Sequence, residues 1–134
     1  MSALAQDFDL AQAAMVPPAQ PRRGDARDVA ELANSWDAVH QAAEAVGALA
    51  QLGQEARDPQ AMALPARAAE LGGRHYDAVA RGIEDLSAVM QPGLRALLAL
   101  TAQGRDTTTA ALTLWREFHL ARAATLGLVP DIED

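Results

Sequence analysis

Cysteine is absent from the 134 residues, and so is lysine. Without thiols the chain can form neither disulfides nor thiolate metal sites. Without lysine, all eleven basic residues are arginine, and only Arg22 and Arg23 are adjacent. Acids outnumber them, for a formal net charge of −7. A surface that grips nucleic acid needs a basic patch to meet the phosphates, and an anionic membrane surface makes the same demand. Neither partner is expected for the body of this chain. A long apolar run is also missing: the most apolar window, Leu94 to Ala102, contains Arg95 and is far shorter than a membrane span. The N-terminus has no basic stretch followed by an apolar core, so a secretory signal is not expected and a cytoplasmic location is.

The catalytic inventory is equally thin. Three serines occur, Ser2, Ser35 and Ser87, none in a strand–turn–helix setting. Gly72-Gly73 lacks the lysine and flanking strand of a phosphate-binding loop. The same diglycine would be the turn of a helix-turn-helix. The following segment, Arg74 to Met90, sets Asp77, Glu84 and Asp85 against two arginines, the wrong sign for DNA. No nucleophile, base and carboxylate assemble by spacing, so the chain is read as not an enzyme.

What is present is alanine, the best helix former, with only two isoleucines and 4% aromatic residues. Apolar and small residues recur in steps of three and four over Val29, Leu32, Trp36, Val39, Ala43, Val46, Ala50 and Gly53. A second such seam runs through Tyr76, Val79, Ile83, Leu86, Met90, Gly93, Leu97 and Leu100. Both predict long helices with one buried face. The first starts near Asp25 or Asp28 and ends at Gly53, a left-handed C′ residue. Asp58-Pro59 reads as N-cap and first turn of a helix to Leu71, which kinks or restarts at Pro65. The second seam continues through Pro92, predicting either one kinked helix or a break with Pro92 opening a new one. Asp106 or Thr107 caps a last helix to Leu126, with Ala111, Leu112, Leu114, Trp115, Phe118, Ala121 and Thr125 on a wide apolar face.

The predicted fold is all-α, an antiparallel helical bundle of four to five helices over residues 26–127. Residues 1–25 form a flexible arm with a short amphipathic segment and a Pro-rich linker, Pro17 to Asp25. Residues 128–134 form an acidic tail. A faint repeat at a spacing of forty relates Trp36-Asp37-Ala38-Val39 to Tyr76-Asp77-Ala78-Val79. In so alanine-rich a chain we read it as coincidence. It does place one aromatic on each long seam.

Two histidine patterns invite a metal or cofactor reading. Asp37, His40 and Glu44 share a helix face and would make half a di-metal site, but no second carboxylate–histidine pair exists. Trp36-x-x-x-His40 and Trp115-x-x-x-His119 repeat one spacing on separate helices, as a bis-histidine haem would use. Indole–imidazole packing on a helix face explains that spacing equally, and no metal or cofactor is expected. The reading that remains is a protein–protein interaction protein, an adaptor or assembly subunit that self-associates. Leu4, Phe8 and Met15 of the arm, with Val129 and Ile132 of the tail, are the candidate docking residues. Alternatives are a small acidic chaperone for an export or assembly substrate, a subunit of a phage-like DNA-packaging or capsid machine, and a bundle that binds a small apolar ligand. Trp36, Tyr76, Met90, Trp115 and Phe118 are core residues on the first readings and line the pocket on the last.

Overall fold

Helix follows wherever the seams run. The structure, a computed structural model, describes residues 26–130, and in that span there are five helices and no strand. They are α1 (Ala26–Leu49), α2 (Pro59–Met62), α3 (Leu64–Leu71), α4 (Gly73–Ala102) and α5 (Thr108–Leu126). The arm, with Leu4, Phe8 and Met15, lies outside the described residues, as does Ile132.

The first seam is buried from Leu32 through Ala50, with Val29 half-buried at its start. It packs on the second seam, of which Tyr76, Val79, Ile83, Leu86, Met90 and Leu97 are buried. Each fully buried Leu, Val, Ile or Met contributes about 1.5–3 kcal/mol, so these facing stripes hold the body together. α5 packs on both long helices, and α3 packs on both as well.

α1 stops before Gly53. Leu52 N–H donates to Gly47 O at 2.9 Å and Gln51 N–H to Ala48 O at 3.0 Å, the paired closure of a Schellman motif. The residue that turns left-handed is Gln51 (φ 64), while Gly53 stays exposed beyond it. The early turn sends residues 51–58 back along α1, close enough for Arg57 to reach Asp37 and Glu44. The next connection meets its expectation at Asp58, whose side chain accepts from Gln60 N–H at 3.0 Å with Pro59 at the first turn. The helix breaks at Ala63 and restarts at Leu64, with Pro65 in its first turn.

Pro92 does not break α4, which runs from Gly73 to Ala102 without interruption. The amide that Pro92 lacks would have served Ala88 O. Both residues are exposed, so water can satisfy that carbonyl. Gly104 (φ 81) closes α4 by the same paired motif, Arg105 N–H to Leu100 O at 3.1 Å and Gly104 N–H to Thr101 O at 2.9 Å. Thr107 then takes the N-cap position of α5, and Asp106 before it accepts from Thr108 N–H at 3.1 Å, which also holds its carboxyl below the usual range.

The wide apolar face expected of α5 is narrower. Ala111, Phe118 and Thr125 are buried, Leu112, Leu114 and Trp115 are half-buried, and Ala121 is exposed. The helix has α1 and α4 to one side, and the rest of its apolar surface faces a cleft and a groove. After α5 the chain folds back: Val129 is buried in the core, and Arg67 donates to Pro130 O at 3.1 Å.

Candidate functional site

His40 sits where α1, the 51–58 segment and α5 converge. It is one turn past Trp36 on α1, and its Nδ1 lies 2.8 Å from Trp36 O. A carbonyl can only accept, so Nδ1 carries the proton and Nε2 presents a lone pair. That lone pair accepts from Arg122 Nε of α5 at 2.9 Å. The ring is wedged edge-on between Trp36 (centroids 4.5 Å) and Phe118 (5.6 Å). Burial pushes its pKa below the ordinary value, and the charges of Arg122 and Arg57 push the same way against the Trp36 hydrogen bond and Glu44. A neutral imidazole therefore holds a guanidinium.

On the same face of α1, Arg57 closes on both carboxylates. It is bound to Asp37 through Nη1 and to Glu44 through Nε at 2.7 Å and Nη2 at 3.2 Å. The hydrogen bonds from Arg57 hold the Glu44 carboxyl low, and the same bonds, to Glu44 and then Asp37, raise the guanidinium. The carboxylates go to Arg57 and the imidazole to Trp36 O and Arg122. Among the described residues no group of three or more His, Asp or Glu is placed to hold a metal ion.

These groups wall an open cleft of about 420 Å³. Its far side is α5, with Trp115, Phe118, His119 and Arg122, and its rim is the 51–58 segment, including Glu55. Trp115 and His119 meet at a 57° tilt with centroids 4.1 Å apart, and Phe118 meets His119 edge-on at 5.0 Å. The pKa of His119 is lowered, mainly by burial, against the pull of Glu55. Trp115 approaches α1 at Gly47, where a Cβ would lie 3.1 Å from its Nε1, so glycine there gives the indole its place. Of the two Trp-x-x-x-His patterns, His40, Trp115 and His119 thus share one cleft, while Trp36 is buried in the core. Both His40 nitrogens are engaged within the chain, which leaves none for a haem iron.

A second opening, a groove of about 370 Å³, lies between α4 and α5. Gly82, Ala121 and Ala124 line it, and Val89 rises beside it with Asp85 and Glu117. Val89 is 51% exposed, and on α5 Leu120 is 75% exposed.

The residues named from sequence as ligand-lining divide. Trp36 and Tyr76 are sealed in the core, Trp115 and Phe118 line the cleft, and Met90 and Phe118 line the groove. Val129, named as a docking residue, is covered by its own chain. Arg57 and Arg122 were not legible as site residues. The only signal was two carboxylates and a histidine on one helix face, which require a cation from elsewhere. Comparison with protein-family models, curated proteins and solved structures finds no match to this chain.

Proposed function

We propose that this chain is a non-catalytic helical interaction protein that pairs with a second copy of itself through the α4–α5 face. The observation that carries the reading is the shape of that face. Exposed Val89 lines a groove together with Gly82, Ala121 and Ala124, and exposed Leu120 lies one helical turn before Ala124 on α5. Knob and hole lie on one surface, which is the requirement of a two-fold, isologous contact. Small residues in the groove allow a neighbouring helix to approach closely. Asp85 and Glu117 line the groove and Arg81 lines a neighbouring hollow with Asp85, so a two-fold partner can set opposite charges against each other at the rim. In this reading the body is an antiparallel bundle. α5 runs back along α1, as the Gly47–Trp115 and His40–Arg122 approaches favour, and along α4, as Gly82–Thr125 and Gly93–Leu114 favour.

Sedimentation tests it. The chain is expected to form a dimer, and Leu120→Glu, at an exposed position, is expected to give a monomer with unchanged helicity. A chain that is monomeric at high concentration, or a Leu120→Glu variant that still dimerises, refutes the reading.

A further inference from the structure

The cleft of α1 and α5 has a charge pattern that its own chain does not complete. Arg57 is neutralised by Asp37 and Glu44. Arg122 is not: its one hydrogen bond among the described residues is from Nε to a neutral imidazole, and no described carboxylate pairs with it. Engagement through Nε leaves the two terminal nitrogens as a fork, the geometry that meets a carboxylate end-on. Two further donors in the wall, Trp115 Nε1 and the His119 ring, have no hydrogen-bond acceptor among the described residues. The surrounding surface is aromatic: Trp115 and His119, half-buried, beside the buried Phe118. The rim carries Glu55 and Asp58, which repel a multiply charged anion such as phosphate. The acceptor that this site lacks is therefore a single negative charge attached to a flat apolar body.

We propose that this cleft binds a small aromatic monocarboxylate, its carboxylate on the terminal nitrogens of Arg122 and its ring against Trp115 and Phe118. His40 acts as a positioning residue: its lone pair fixes the guanidinium without neutralising it, as a carboxylate in its place would. The volume, about 420 Å³, is within the range of small-molecule sites. Only the buried Phe118 is common to this site and the proposed dimer face, so either reading can fail without the other.

The two tryptophans make the test direct. Trp36 Nε1 donates to Ala61 O in the core, whereas Trp115 lines the cleft with its Nε1 against Gly47, so their indole N–H resonances report core and cleft separately. The full chain is titrated with 3-phenylpropionate, with its neutral amide and with inorganic phosphate. A saturable shift of the Trp115 resonance alone is expected, with the acid binding about tenfold more tightly than the amide and phosphate inert. Arg122→Gln, at a half-exposed position, is expected to bring acid and amide to equal affinity while amide binding persists. The proposal is overturned if the acid gives no saturable shift at millimolar concentration, if acid and amide bind alike to the unaltered chain, if phosphate matches the acid, or if Arg122→Gln keeps the preference.

Discussion

Replacing Trp36 with phenylalanine tests how the short helices are tied to α1. The indole is fully buried, and its Nε1 donates to Ala61 O at 2.9 Å. In a continuing helix that carbonyl would receive the amide four residues on, but that residue is Pro65, which has none. Ala61 and Pro65 are both buried, so water cannot take the place of the missing donor. The indole therefore supplies what the proline removes. Phenylalanine fills most of the space but donates nothing. A buried acceptor left unpaired costs about 1–3 kcal/mol, and the smaller ring forfeits about 1 kcal/mol of burial. The expected loss is about 2–4 kcal/mol, read as a lower urea midpoint at unchanged slope. The decisive measurement is the double-mutant cycle with Pro65→Ala. Alanine at 65 restores an amide for Ala61 O, so the cost of Trp36→Phe should shrink in that background by about 1–2 kcal/mol. Equal costs in both backgrounds, or a loss under about 1 kcal/mol in the first, would refute the exchange of donors.

Two further outcomes follow from the packing. Burial holds His40 and His119 neutral, so each titrates below its ordinary value of 6.5 when folded. As pH falls below 6.5 toward those depressed values, the unfolded chain binds more protons and stability declines. Glu44, held low by Arg57, adds its own loss only as pH falls further, below its ordinary 4.5. The urea midpoint is expected to be lower at about pH 5.5 than at about pH 7.5, with His40→Leu reducing the difference; equal midpoints count against a neutral buried imidazole. On α4, a methyl at Gly82 would lie 3.1 Å from both Cγ2 and Oγ1 of Thr125, whose hydroxyl is tied to Ala121 O at 2.9 Å. Gly82→Ala gains about 1 kcal/mol of helix propensity and loses about 1–3 kcal/mol to overpacking, for a net destabilisation near 1 kcal/mol. A higher melting temperature would mean that α5 can move away from α4.

The candidate site was half legible. Asp37, His40 and Glu44 were visible as one face because helical periodicity is local. Their partners were not, because Arg57 lies in a loop and Arg122 is 82 residues from His40 along the chain. The same distinction separates Trp36, recognisable as a seam residue, from its hydrogen bond to Ala61. That bond exists only because a proline in another element leaves a carbonyl open.

Helices, seams and most of their ends were written in the order of residues, since propensity, capping and three-four spacing act over a turn or two. Tertiary structure decided the rest: Gln51 rather than Gly53 turns the chain, Pro92 stays inside its helix, Val129 goes inward, and a neutral histidine faces an arginine. Each of these depends on what a distant segment brings alongside, and pairing across such distances is set by the packing of whole helices.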